Sequence, residues 1–161
     1  MKKLAVFAAL AGLAVLTVAA AALSTPGSGV TTTLLAQGNV EEDINSKVKT
    51  GDWKVDVDTK GASNLAISEI KVAPGGFFGW HSHPGPSFVI VKSGTSTFYD
   101  GDDPDCTPQV HPAGTAYVDP GGMVHTARNE GTTELVLLVM RLIPQGANPR
   151  DDQPAPGNCA F

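Results

Sequence analysis

Three of the four histidines are spaced so that one metal ion could bind all of them. His81 and His83 are separated by a single residue, and residues two apart in a β-strand project from the same face. The third histidine, His125, follows the turn-forming segment Pro120-Gly121-Gly122, so a neighbouring strand could bring its imidazole to that face. Imidazole nitrogen is a ligand for most first-row divalent metals. The spacing therefore predicts a metal site formed by His81, His83 and His125.

The residues around these histidines follow two spaced patterns. The fixed positions are Gly75, His81, His83, Ser87 and Gly94 in the first pattern, and Gly114, Pro120, Gly122, His125 and Asn129 in the second. This spacing closely resembles the two signature motifs of the cupin superfamily, G-x5-H-x-H-x3-4-E-x6-G and G-x5-P-x-G-x2-H-x3-N. Nine of the ten positions match, and Ser87 stands where the family usually has a metal-binding glutamate. The resemblance implies an all-β jelly roll with a site of three neutral histidine ligands.

Strand parity predicts which side chains line the interior beside the histidines. If Ser87 points inward, Val89 lies on the same face of its strand. In the second pattern Ala127 shares the face of His125, whereas Arg128 points away from it. Ser87, Val89 and Ala127 are therefore the predicted pocket residues, and the pocket is expected to be largely apolar.

The chemistry of such a site depends on the metal. With Fe(II), three histidines can bind a substrate and dioxygen side by side, as in the three-histidine cupin dioxygenases that this ligand set resembles. With Zn(II), the same ligands lower the pKa of a bound water to about 7. Iron is expected if the site is redox-active, and Zn(II), Cu(II) and Mn(II) stay open because imidazole binds all of them. The fourth histidine, His111, lies outside both patterns and is expected to be a packing or surface residue.

Three functions are compatible with this site, because one fold serves many activities. The first is a dioxygenase or other oxidoreductase acting on a small molecule. The second is a non-catalytic protein that binds a small molecule or a sugar, and the third is a zinc hydrolase or lyase. The chain carries 11 basic and 16 acidic side chains, a formal net charge of −5, and no basic stripe. Nucleic acid is therefore not an expected partner.

Short strands separated by Gly, Pro and Asp turns run through residues 30–143, the predicted domain. The composition predicts strands at 31–36, 65–72, 77–83, 87–91, 95–99, 115–118, 124–129 and 134–142. Helical periodicity is weak, and only residues 41–49 are compatible with a short helix. The pattern predicts an all-β sandwich or barrel. The apolar run at 135–140 predicts a strand buried on both faces, either central in the sheet or covered by a second subunit in a homodimer.

The first 23 residues predict export. Lys2 and Lys3 precede an apolar run that ends in small residues near Ala22, a pattern typical of a secretory signal peptide. The run is also nearly long enough to cross a bilayer, so an uncleaved membrane anchor is the alternative. Either interpretation places the rest of the chain outside the cytoplasm, in the periplasm, secreted, or anchored on the outer side of a membrane.

The two cysteines of the chain are Cys106 and Cys159. In an exported protein an even pair most simply forms a disulfide. The alternative is that Cys106 is a free thiol near the metal site. We favour the disulfide because Cys159 lies in a proline-rich tail, residues 144–161, that has little else to hold it.

Overall fold

A computed structural model describes residues 24–161. The predicted signal peptide or membrane anchor, residues 1–23, lies outside these residues. Within 24–161 the chain forms strands β1 (Ser28–Val40), β2 (Asn45–Thr50), β3 (Trp53–Asp58), β4 (Ser63–Phe77), β5 (His81–Ser82), β6 (Ser87–Ser93), β7 (Thr95–Asp100), β8 (Gln109–Pro112), β9 (Ala116–Asp119), β10 (His125–Arg128), β11 (Leu135–Pro144) and β12 (Asp151–Asp152). No helix in this part of the chain is long and apolar enough to span a membrane.

Ten of these strands form one curved antiparallel sheet. The hydrogen-bonded order is β12-β5-β10-β4-β11-β6-β9, with β1 added to β4, β7 added to β10, and β8 added to β7. The sheet is nearly closed, and it confirms the predicted all-β jelly roll. Strand β11 pairs with β4 on one side and β6 on the other, so its apolar residues lie in the centre of the sheet.

Alternating burial along β6 separates the inside of the barrel from the outside. Ser87, Val89 and Val91 are buried, whereas Phe88 and Ile90 are 41% and 51% exposed. The inward valines join a core formed by Ile70, Val72, Phe78, Val89, Val91, Phe98, Ala127, Leu135, Leu137 and Val139. Odd-numbered residues of β6 therefore face the interior of the barrel and even-numbered residues face its outside. This is the orientation that the sequence predicts.

Residues 41–49 do not form the short helix that the sequence allowed. Strands β2 and β3 make a separate two-stranded hairpin instead. The turn between them contains Gly51, whose φ is +59°, a left-handed conformation that glycine adopts at little cost. β-Branched residues at Val48, Val55 and Val57 favour strands, and they account for the difference.

Strands β8 and β12 lie outside the predicted strands, and one predicted strand is interrupted. Within the segment predicted as a strand at 77–83, only Phe77, the last residue of β4, and the two residues of β5 are in strands. The chain turns between them at Gly79, where φ is +71°. The proline-rich tail contributes β12, which pairs with β5 through Asp152↔His81. The tail is therefore attached to the strand that carries the first histidine.

Candidate metal centre

Two strands of the sheet bring the three histidines together. His81 begins β5 and is the direct cross-strand partner of His125, the first residue of β10. His83 follows β5 immediately, and its carbonyl oxygen accepts a 2.7 Å hydrogen bond from the backbone N–H of Gly122. The two sequence patterns are thus joined by backbone contacts on both sides of the cluster.

Close packing between the two turns of these patterns requires glycine. Gly121 has a φ of +82°, and a Cβ at this position would lie 2.5 Å from the carbonyl oxygen of Gly85. Any side chain at position 121 would therefore push apart the turn after His83 and the turn before His125.

Each imidazole is buried and oriented by a backbone carbonyl. His81 and His83 are 3% exposed and His125 is 4% exposed. Their Nδ1 atoms lie 2.9 Å, 2.7 Å and 3.1 Å from the carbonyl oxygens of Gly79, Pro149 and Met123, respectively. A carbonyl oxygen only accepts hydrogen bonds, so each Nδ1 carries a proton and donates it. In the neutral ring Nε2 then has a free lone pair, as a metal ligand requires.

The environment keeps these rings neutral. Burial is the main cause that lowers the pKa of His81 to about 2 and that of His83 to about 4. Burial likewise lowers the pKa of His125. One potential ligand atom from each ring lies within 4.8 Å of those from the other two. Three uncharged nitrogen donors therefore converge on one buried point, which suggests a metal site.

A cavity of about 40 Å³ adjoins the cluster. Ser87, Val89 and Ala127, the predicted pocket residues, all lie in its wall. The wall also contains Ile70, Phe78, Phe98, Tyr117, Asp119, Leu137, Val139 and Arg141. Since a water needs roughly 10–15 Å³ on this measure, the space fits only a few water-sized groups.

Asp119 is a cavity residue that the sequence reasoning missed. It is 3% exposed, and its Oδ2 lies 3.5 Å from His125 Nε2 and 3.8 Å from His83 Nε2. These contacts are not ordinary ion pairs, because the low pKa values leave the imidazoles uncharged. The signal that identifies Asp119 is its register opposite Ser87 in the β6–β9 pair, which local spacing does not reveal.

Arg141 is the second cavity residue that was missed. It lies opposite Ser87 on the other side, in the β11–β6 pair, and burial lowers the pKa of its guanidinium. Its buried Nε has no hydrogen-bond partner. Among the residues that line the cavity, Arg141 is the only permanently cationic one.

Three other aromatic or basic residues, His111, Arg128 and Trp80, lie outside the histidine cluster and do not line the cavity. His111 stacks on Tyr117 with ring centroids 4.2 Å apart, so it packs against the outer side of a cavity-wall residue. Arg128 points away from the histidines and lies over the ring of Phe161 at 4.0 Å. Trp80 also faces Phe161, with ring centroids 6.4 Å apart, and does not line the cavity.

The C-terminal tail is attached to the rest of the chain by a disulfide and to the site by hydrogen bonds. Cys106 and Cys159 form a disulfide, so neither is the free thiol of the alternative interpretation. Nearer the histidines, the carbonyl of Pro149 holds the ring of His83. The guanidinium of Arg150 donates to the carbonyl of Phe78. The tail thus orients one histidine directly.

Comparisons with known proteins agree with this architecture. A family model described as the cupin domain matches residues 68–141, a segment that contains all three clustered histidines, Ser87 and Asp119. No curated protein matches the chain.

Several solved structures are similar in fold. A cupin domain from Bordetella pertussis Tohama I is 19% identical, with 74% of this chain and 97% of that chain covered and a TM-score of 0.47. A Klebsiella pneumoniae protein with a double-stranded β-helix domain is 22% identical, covering 69% and 84% with a TM-score of 0.45. An oxalate oxidase in complex with the substrate analogue glycolate is 26% identical, covering 55% of this chain and 45% of that one, with a TM-score of 0.46. All three TM-scores are below 0.5.

Proposed function

We propose that this chain, which belongs to the cupin family, is an exported oxidoreductase that acts on a small molecule at a divalent metal held by His81, His83 and His125. The observation that carries the proposal is the convergence of three buried, neutral imidazoles whose Nδ1 protons are all donated to backbone carbonyls. Metal ligands must be deprotonated at the donor atom. These rings meet that requirement without any rearrangement of their hydrogen bonds.

The donor set suits a first-row transition metal. Imidazole binds iron, copper, zinc and manganese, and the unpaired carboxylate oxygen of Asp119 faces two of the rings. When bound, iron or copper would supply one-electron chemistry between a substrate and an oxidant such as dioxygen. The ligand set is equally suited to zinc, which would favour the hydrolase or lyase alternative.

The cavity limits what can reach the metal. Its volume of about 40 Å³ supports a small substrate of few heavy atoms, or one whose reactive end alone enters. Val89, Leu137 and Val139 in its wall exclude water and leave polar groups few partners other than the substrate. The unpaired Nε of Arg141 favours a substrate that carries a negative charge, since a half-buried guanidinium is best satisfied by an anion.

The disulfide supports export. Disulfides persist mainly in oxidising compartments, and the Cys106–Cys159 bond therefore fits a protein that works outside the cytoplasm. Together with the charged and apolar N-terminal segment, it favours a periplasmic, secreted or externally anchored protein.

Elemental analysis of protein purified from its native compartment tests the metal and the chemistry together. We expect about one iron or copper per chain, and His81→Ala, His83→Ala or His125→Ala should each remove it while circular dichroism stays unchanged. The matched control is His111→Ala, which removes the one histidine outside the cluster and should retain full metal content. Stoichiometric zinc would support hydrolysis instead. Absence of any metal, or full retention by the three variants, would contradict the metal site and favour the binding-protein hypothesis.

A further inference from the structure

The site contains a carboxylate in an unexpected place. Ser87 occupies the position at which the cupin pattern has a glutamate, yet Asp119 lies directly opposite it in the antiparallel β6–β9 pair. Both side chains are buried, at 2% and 3% exposure. Ser87 Oγ and Asp119 Oδ2 are also both without a hydrogen-bond partner, an arrangement that is rare for buried polar atoms.

The two oxygens of Asp119 have different roles. Oδ1 accepts a 2.9 Å hydrogen bond from the backbone N–H of Gly121, which fixes the carboxyl group in the turn before His125. Oδ2 is left free and lies 3.5 Å from His125 Nε2 and 3.8 Å from His83 Nε2. The carboxylate is therefore held in an orientation that places one oxygen beside the Nε2 atoms of His83 and His125.

This contact is unfavourable unless a cation lies within it. The Nδ1 protons are donated to the carbonyls of Pro149 and Met123, so the neutral rings present only lone pairs at Nε2. A lone pair of nitrogen and a lone pair of a carboxylate oxygen repel each other, and a buried carboxylate oxygen without a partner is costly. A divalent ion between these atoms would convert every one of these contacts into a favourable one.

We propose that Asp119 is the fourth ligand of this metal and replaces, from the neighbouring strand, the carboxylate that the cupin pattern places at position 87. This inference rests on the proposed metal site and names one more residue of that site. The short side chain of Ser87 leaves space in front of Asp119, so the two residues form a compensating pair. The ligand set is then three neutral imidazoles and one carboxylate, which lowers the net charge of a divalent site to +1.

Metal titrations of purified apoprotein test the proposal with Asp119→Asn, which keeps an oxygen that can accept from Gly121. Zn(II) and Co(II) are added in competition with a chromophoric chelator, and the absorption spectrum of the Co(II) form reports the ligands directly. We expect the variant to bind at least about tenfold more weakly than wild type, because even groups that only support a ligand contribute about 10–100-fold to metal affinity. Its Co(II) spectrum should also change.

Two further variants separate ligation from a structural role. Ser87→Glu combined with Asp119→Asn should recover most of the lost affinity, since it returns a carboxylate to the same cavity from the opposite strand. Glu69→Gln is the matched control: this carboxylate belongs to β4, is hydrogen-bonded to Lys92 and lies outside the cavity wall. It should leave both affinity and spectrum unchanged.

The outcomes distinguish this inference from the proposed function. If Asp119→Asn has the Co(II) spectrum of wild type while His83→Ala binds no metal, the metal site stands and Asp119 is not a ligand. If wild type itself binds neither ion, both proposals fail. A double variant that remains as weak as Asp119→Asn would overturn the compensation between positions 87 and 119.

Discussion

The histidine end of the barrel and the β2–β3 hairpin show two ways in which this chain uses short strands. At the histidine end, the two-residue strand β5 pairs with both β10 and β12, and its neighbours bury the side chain of His81 almost completely. In the hairpin, β2 pairs with β3 alone, and every residue of β2 is exposed.

The difference shows what positions a reactive group in this fold. An imidazole is held accurately when its strand has partners on both sides and its second nitrogen has a fixed acceptor. The hairpin has neither feature, although its strands are longer. Strand length therefore matters less for the site than the number of elements that enclose it.

The largest contrast between the two regions is expected in stability. Leu135 is fully buried in the core, whereas Val48 of the hairpin is 47% exposed. Leu135→Ala should lower the free energy of unfolding by about 2–5 kcal/mol, because it removes buried methyl groups and leaves a cavity. Val48→Ala should change it by less than about 0.5 kcal/mol. Urea unfolding followed by circular dichroism measures both, and equal effects would show that the hairpin shares the core of the barrel.

Sequence reasoning was most successful where the determining information is local. The positions of His81, His83 and His125 follow from spacing and strand parity, and the inward direction of Val89 follows from the same rule. The all-β class followed from the density of turn residues between short strands.

It was least successful where the information lies in the pairing of distant strands. Asp119 becomes a site residue only because β9 is aligned with β6 so that position 119 meets Ser87. Arg141 enters the cavity wall through the register of β11 with that same serine. Neither register is encoded in spacing along the chain, so both residues were missed.

The helix that the sequence allowed at residues 41–49 was wrong for a different reason. Strand β2 contains Lys47 and Lys49, with Val48 as its one apolar residue, so it lacks the apolar face that identifies a half-buried strand. The useful signals were the alternating valines of β3 and the Gly51-Asp52 turn.

An intermediate effect is expected from the disulfide that attaches the tail to the barrel. The bond joins residues 53 apart, which corresponds to about 4 kcal/mol in the chain-entropy model. Replacing both cysteines with serine should therefore lower the free energy of unfolding by about 2–4 kcal/mol. Metal stoichiometry should be retained, because β12 still pairs with β5 and keeps Pro149 near His83.

Reduction of the wild-type protein provides the matched comparison for this variant. Thermal unfolding of reduced wild type and of the double serine variant should coincide, since both lack the same bond. An unfolding temperature equal to that of oxidised wild type would show that the tail is held by its other contacts alone, such as the hydrogen bonds from Asn158 to the carbonyls of Asp100 and Asp103.

The smallest effect is expected from removing the hairpin. Ile44 and Thr59 are joined by two hydrogen bonds of 2.9 Å, one from each backbone N–H, so a short Gly-Ser turn can replace residues 45–58 without displacing its ends. Metal affinity should stay within about twofold of wild type, the change expected when only surface contacts are lost. Competition titration with Zn(II) measures it.

The groove between the hairpin and the turn after His83 makes both an unchanged and a lowered metal affinity informative. Asp56 and Val57 of the hairpin line a groove together with Pro84, Gly85 and Pro86, the turn that immediately follows His83. If the shortened protein binds metal as wild type does, this turn is held by the barrel itself, through Gly85 packed against the backbone of Leu142. If the affinity falls by much more than twofold, the hairpin stabilises the turn after His83 and therefore helps to position this ligand.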